Sequence, residues 1–192
     1  MACGICGGEG HNRRTCTNKR GALAQEDALT TATYDGRELR LNGRVVRPLD
    51  DKRKLVAHIL FMPGVTAIHE DSSWRPPVGT FYGCTSLTSV NLPEGLTTIG
   101  GGAFSYCTSL TSINLPERLT TIGSHAFYGC TSLSSISFPE GLTAIGGYAF
   151  WGCTTLSSVS FPEEGRTTIE ESSFAGCTLQ EQCSVGHRAV EA

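Results

Sequence analysis

"CTSLTSVNLPEGLTTIGGGAFSY", residues 84–106, returns at 107–129 as "CTSLTSINLPERLTTIGSHAFYG" and at 130–152 as "CTSLSSISFPEGLTAIGGYAFWG". A fourth version, "CTTLSSVSFPEEGRTTIEESSFAG", fills 153–176, so the period is 23 residues and then 24. Self-similarity at such a period marks a repeat architecture in which each copy stacks on the next. In the first copy Val90 and Leu92 alternate with Ser89 and Asn91, so 89–92 reads as a short strand with one apolar face. Pro93 ends it, because proline has no N–H to give to a ladder. Leu96, Ile99, Ala103 and Phe104 supply further inward side chains, and the glycines at 100–102 make the bend back. One such unit cannot bury these side chains alone. Stacked copies can, with strands pairing unit to unit. The fold class expected is a repeat solenoid, mainly β, built from short parallel strands.

Outward from these copies the pattern decays. "ILFMPGVTAI" (59–68) echoes "SVNLPEGLTTI", and "GTFYGC" (79–84) echoes the phenylalanine-to-cysteine ending, with "HEDSSWRPP" (69–77) inserted between them. Residues 54–83 therefore read as a degenerate first unit, and 177 onward as a truncated last one. Atypical end units are expected where an open stack must be capped. The solenoid is placed at 54–180, with its regular units at 84–176, and a tail at 181–192.

These units resemble the BspA-like class of leucine-rich repeats. The resemblance rests on Leu-x-x-Ile-x-Leu-Pro, then Ile-Gly-x-x-Ala-Phe, then Cys-x-x-Leu, as in "LTSINLPERLTTIGSHAFYGCTSL" (110–133). It implies a curved right-handed solenoid used for protein contact, without catalytic activity of its own. Many members sit on cell surfaces.

The periodicity also assigns faces. Phe104, Phe127 and Phe150 should form a buried column. Cys84, Cys107, Cys130, Cys153 and Cys177 recur at one place and should stack as buried thiols about one strand spacing apart. A metal site on that ladder is disfavoured, because side chains pointing the same way do not enclose an ion. Ser89 and Asn91, Ser112 and Asn114, Ser135 and Ser137, and Ser158 and Ser160 should line the exposed strand face. Small uncharged rows offer few anchors, whereas binding energy concentrates in aromatics and arginine. Tyr82, Tyr128 and Trp151 follow the core phenylalanines directly and Tyr106 comes one place later, so a protein partner is expected at this aromatic edge. The carboxylates of Glu94, Glu117 and Glu140, continued by Glu163, should run beside it as an acidic line. "GGG" at 100–102 reads as a surface bend rather than a phosphate cradle, because later units carry Ser124-His125 and Gly147-Tyr148 there. His58, His69, His125 and His187 stand alone in the sequence, and no base is spaced to activate a serine. An enzyme is not expected.

The N-terminus carries a different signal. In "CGICGGEGHNRRTC" (3–16) the spacing is Cys3-x2-Cys6-x4-His11-x4-Cys16. Four soft or borderline ligands this close can wrap one tetrahedral Zn2+, and the glycines at 7, 8 and 10 permit the tight turns. The segment resembles the CCHC zinc knuckle, with Gly10-His11 at the third ligand, so residues 1–17 are expected to be a small zinc-stabilised knuckle holding one ion. That resemblance implies binding of RNA or single-stranded DNA, and Arg13, Arg14, Lys19 and Arg20 supply phosphate-directed charge. The aromatic that usually stacks on a base after the first cysteine is replaced by Gly4, which points to weak binding.

Between head and array, residues 18–53 read as a linker. It holds a marginal helix at 21–32 and a hairpin at 38–47 turned by Asn42-Gly43, which would set Glu38 across from Arg47.

Charge follows the same division. Residues 1–20 carry four cations against Glu9, a formal +3, and 84–178 carry seven acids against Arg118 and Arg166, a formal −5. No stretch of eighteen apolar residues exists, and the N-terminus lacks an apolar signal core, so no membrane span and an intracellular location, cytoplasm or nucleus, are expected. Nine cysteines there read as ligands or buried thiols. Two functions fit. One is an intracellular adaptor whose knuckle holds nucleic acid while the solenoid holds a protein. The other is a cell-surface or secreted leucine-rich repeat interaction or adhesion module without nucleic-acid binding.

Overall fold

The computed structural model describes residues 31–36, 38–41, 44–45, 51–71, 78–162, 167–170 and 172–179. The segment expected to form a zinc knuckle (1–17), the basic cluster at 13–20, Glu163 and the tail lie outside the described residues.

The segment read as a linker contributes to the fold. β1 (Thr31–Tyr34), β2 (Leu39–Leu41) and β3 (Arg44–Val45) are followed by a 3-10 turn at Asp51–Leu55 and by β4 (His58–Phe61). They form one sheet in the order β3-β2-β1-β4, with β1 antiparallel to β2 and parallel to β4. Leu41 pairs with Arg44 and Arg40 with Val45, the register of a hairpin with two connecting residues. The expected pairing of Glu38 with Arg47 lies outside the described residues; Glu38 accepts a hydrogen bond from Arg40. Thr31 and Ala32, placed by sequence at the end of a helix, open β1. The signal was the alternation "TATY": Ala32 and Tyr34 are buried while Thr31 and Thr33 are not. Tyr34 has no exposed surface, and its ring meets Phe61 at 5.9 Å and Phe81 at 5.2 Å, both edge to face. Residues 31–45 thus start a cap over the first unit.

β5 (Ala67–Ile68) follows, then an antiparallel pair, β6 (Glu70–Asp71) and β7 (Val78–Gly79), which carries the insertion. From there each unit has two strands. The first copy supplies β8 (Ser89–Asn91) and β9 (Thr98–Ile99), the second β10 (Ser112–Asn114) and β11 (Thr121–Ile122). The third supplies β12 (Ser135–Ser137) and β13 (Ala144–Ile145), the fourth β14 (Ser158–Ser160) and β15 (Thr168–Ile169). The sequence pattern gives the first strand of each unit. The second, two residues of "LTTI", is too short to show a period and is found only in the structure. Its row is nonetheless the continuous one, a parallel sheet β5-β9-β11-β13-β15.

The first-strand row is divided into β8–β10 and β12–β14. The division falls where "NLP" changes to "SFP". Phe138 brings a ring where Leu115 stood, and that ring packs on Phe161 at 4.7 Å and Phe150 at 5.8 Å.

The core is a set of ladders running through the stack. Phe81, Phe104, Phe127 and Phe150 are fully buried, and with Phe174 they stack at 5.0–5.4 Å between ring centroids. Cys84, Cys107, Cys130 and Cys153 are buried free thiols, and Cys177 is half-buried at the last rung. Each Sγ from Cys107 on donates to the carbonyl of a core phenylalanine in the preceding units: Cys107 to Phe81 at 3.2 Å, Cys130 to Phe104 at 3.1 Å, Cys153 to Phe127 and Cys177 to Phe150 at 3.2 Å. Burial pushes the Cys130 thiol up to about 12 and raises Cys107 well above its ordinary value. Cys177 is lowered, first of all by the side-chain interaction with the neighbouring Cys153 thiol.

Candidate functional site

Each unit turns two corners. The first holds Pro-Glu-Gly between its two strands, and the second runs from the glycine after the second strand to the next cysteine. The second corner is held by backbone bonds between units. The amide N–H of Phe81, Phe104 and Phe127 donates to the carbonyl of Ala103, Ala126 and Ala149, at 2.7–2.8 Å. Two residues on, Gly83, Tyr106 and Gly129 donate to Ser105, Tyr128 and Trp151. All these bonds point toward the C-terminal unit, so the matching carbonyls of the first unit, Thr80 and Tyr82, have no earlier unit to serve them. Arg53, 3% exposed, takes both through its guanidinium, Tyr82 at 3.4 Å.

This second corner carries the aromatic residues singled out in the sequence, and the structure brings them together. Tyr82 and Tyr106 meet at 5.5 Å, Tyr106 and Tyr128 at 5.3 Å, and Tyr128 and Trp151 at 4.8 Å. Tyr106 and Trp151 are exposed, and Tyr82 and Tyr128 are half-buried. Two further members escape the sequence reading. His125 does not stand alone: its ring stacks on Tyr148 at 5.3 Å and lies 5.5 Å from Tyr128. Tyr148 is exposed as well.

The backbone at this corner is unusual. The residue before the cysteine has positive φ in every unit, and it is Gly83, Gly129, Gly152 and Gly176 except in one copy, where it is Tyr106 at φ 58°. The place five before the cysteine holds Gly102 at φ 62°, then His125 at 60°, Tyr148 at 58° and Ser172 at 58°. A side chain in this conformation costs about 1–2 kcal/mol that glycine would not. The signal for Tyr106 was present in the alignment of the units, as a non-glycine where the other units carry glycine.

A groove of about 1010 Å3 opens along the corner and is lined by Tyr82, Tyr106, Tyr128, His69, His125 and the backbone of Gly100–Gly102 among others. Its glycine floor is a matter of close approach: a Cβ on Gly79 would sit 1.8 Å from the Gly102 carbonyl oxygen. The "GGG" stretch is thus a bend packed against its neighbour.

The acidic line lies elsewhere. Glu94, Glu117 and Glu140 are exposed at the first corner, separated from the aromatic corner by the second strand of each unit. Glu117 borders the strand face instead, in a shallow groove of about 230 Å3 at the division between β10 and β12, with Ser112, Asn114, Ser135 and Ser137. The serine and asparagine rows are exposed on that face, as the alternation requires. Among the described residues no group of His, Cys, Asp and Glu is placed to hold a metal ion, and no helix is long and apolar enough to cross a membrane. Cys3, Cys6, His11 and Cys16, and Arg13, Arg14, Lys19 and Arg20, lie outside the described residues.

Residues 77–184 match, in six copies, the family described as BspA type leucine rich repeat region. Among solved structures the chain is similar to a leucine-rich repeat protein from Bacteroides ovatus ATCC 8483, with 36% identity over 66% of this chain and 30% of that one, at a TM-score of 0.55. It is similar to a T. pallidum leucine rich repeat protein, with 34% identity over 62% and 53% of the two chains and a TM-score of 0.54. A leucine rich cell surface protein from Faecalibacterium prausnitzii A2-165 shares 34% identity over 65% and 31%, also at 0.54. The chain therefore spans between 30% and 53% of the length of these structures. No protein of curated description matches it.

Proposed function

The chain belongs to the BspA-type leucine-rich repeat family, and from that premise we propose that it is a non-enzymatic interaction module, carried at the cell surface or secreted, that holds a partner macromolecule through the aromatic corner. The observation that carries this reading is the continuous row from Tyr82 to Trp151, with solvent-exposed rings backed by a rigid phenylalanine column. Aromatic anchors on a stiff backing give contact area at little cost in side-chain entropy. The surface location is supported by the F. prausnitzii relative, which is described as a cell surface protein. The test is capture of partners by the full chain from intact cells, comparing Tyr128→Ala plus Trp151→Ala with Ser112→Ala plus Ser135→Ala. The aromatic pair should abolish capture and the serine pair should not. The reverse result would move the contact to the strand face.

The spacing Cys3-x2-Cys6-x4-His11-x4-Cys16 favours a second reading, the intracellular adaptor. Three thiolates and one imidazole are a donor set suited to tetrahedral Zn2+, and these four residues would hold one structural ion. Arg13, Arg14, Lys19 and Arg20 would then contact RNA or single-stranded DNA while the solenoid holds a protein. Elemental analysis should find one zinc per chain, lost in Cys6→Ser and His11→Ala. Localisation of the full-length protein separates the two readings: an interior site together with bound zinc favours the adaptor.

A further inference from the structure

We propose that the groove beside Tyr82, Tyr106 and Tyr128 is a binding site for a neutral oligosaccharide. This rests on the aromatic corner being the contact surface, and it names the chemistry that surface takes.

Backbone conformation gives the first argument. Tyr106 occupies a left-handed position that Gly83, Gly129, Gly152 and Gly176 fill in the other units. His125 and Tyr148 occupy another, filled by Gly102 in the first regular copy. Glycine would carry no such cost at any of the three; at the Tyr106 position every other unit uses it, and at the other position the fourth unit carries the small Ser172. Three rings held against that preference, clustered on one surface, mark a use other than stability.

Ring orientation gives the second. Tyr128 and Trp151 lie nearly parallel, 14° apart, and so cover each other's faces. Along the groove the rings turn, by 72° between Tyr82 and Tyr106 and by 57° between Tyr106 and Tyr128. Rings set at such angles leave open faces that a parallel stack would close. An aromatic face is electron-rich and apolar, the complement of the C–H face of a sugar ring.

Charge gives the third. Tyrosine, histidine, serine, threonine and glycine dominate the lining, and among the described residues no Asp, Glu, Lys or Arg is part of it. An anionic polymer would call for arginine or lysine here, and a basic peptide for carboxylates. The carboxylates of Glu94, Glu117 and Glu140 are at the other corner. What remains is a set of hydrogen-bonding groups: phenolic hydroxyls, the imidazoles of His69 and His125, and backbone groups of the glycine floor. A neutral, hydroxyl-rich ligand matches that set. The volume, about 1010 Å3, is at the upper end of the range that encloses a drug-sized ligand, which suits several linked sugar rings rather than one.

The experiment uses the full chain on an array of neutral oligosaccharides together with heparin fragments and basic peptides, followed by calorimetric titration of the best neutral oligosaccharide. The deciding variant is Tyr106→Gly. Glycine is the residue its backbone prefers, so the melting temperature should hold or rise while oligosaccharide affinity falls by about tenfold or more. Ser89→Ala plus Ser112→Ala, on the strand face, should leave affinity unchanged. The proposal is overturned if no neutral oligosaccharide on the array binds, if heparin fragments or basic peptides bind in their place, or if Tyr106→Gly retains the affinity of the parent chain. Partner capture that depends on Tyr128 and Trp151, with no oligosaccharide bound, would overturn this inference and leave the interaction-module reading standing.

Discussion

Arg53 occupies the place where a stack of identical units is most exposed to loss, its first face. Inside the array each corner carbonyl is served by the unit before it, and at Thr80 and Tyr82 a guanidinium does that service. A buried acceptor left without a donor costs about 1–3 kcal/mol, and Arg53 serves the buried Thr80 carbonyl together with the part-buried one of Tyr82. Arg53→Ala should therefore lower stability by about 2–4 kcal/mol in urea titration. Arg53→Lys should recover only part of that, because an ammonium lacks the planar fork that reaches two carbonyls at once. An unshifted midpoint in Arg53→Ala would mean that the first unit closes without it. Nothing in "DDKRKL" (50–55) distinguishes this arginine from its charged neighbours. Its role depends on contacts 27 and 29 residues away, beyond the reach of local pattern.

Elements were legible in proportion to how often they repeat. The strand at 89–91 and the phenylalanine column follow from alternation and period, and the structure extends that column to Phe81 and Phe174. Phe127 lies between Phe104 at 5.4 Å and Phe150 at 5.1 Å, with planes within 8° of both. Phe127→Ala should open a cavity that neighbouring units cannot collapse into and cost about 3–5 kcal/mol, read from the thermal or urea midpoint. A midpoint equal to the parent's would contradict the packing described. The cap strand at 31–34 was harder to see, because it occurs once and lies next to a sequence that also suits a helix. The division between β10 and β12 was invisible for a different reason. Leucine and phenylalanine are equivalent in a hydrophobic pattern and differ only in the room they need. At the candidate site the sequence gives up Tyr82, Tyr106, Tyr128 and Trp151, but not that the acidic row sits at the opposite corner. That separation depends on the short second strand.

At the scale of the whole molecule the thiol ladder ties stability to pH. Cys107 and Cys130 keep their protons when folded because burial opposes a thiolate, Cys130 up to about 12. In the unfolded chain such thiols ionise near 9.0. Between those values the unfolded state binds fewer protons than the folded one, so stability is full below pH 9.0 and falls above it. The slope should be about 1.4 kcal/mol per pH unit for each such thiol. Urea midpoints measured on either side of that pH should decline on the alkaline side, and less steeply in Cys130→Ala. A flat profile would show that the thiols reach water in the folded state.

The directionality of the corner bonds has a further consequence for how such a chain changes over generations. Because the second corner uses the same backbone donors and acceptors at every internal junction, a unit can be lost or copied whole and the new neighbours meet at that corner as the old ones did. Excising 107–129, for instance, joins Tyr106 to Cys130 and again sets a cysteine Sγ beneath a phenylalanine carbonyl and a phenylalanine N–H beneath an alanine carbonyl. The cap built on Tyr34 and Arg53 is untouched by such an event. Slippage during gene copying therefore alters the reach of the molecule in steps of one rung, while its closed end stays constant.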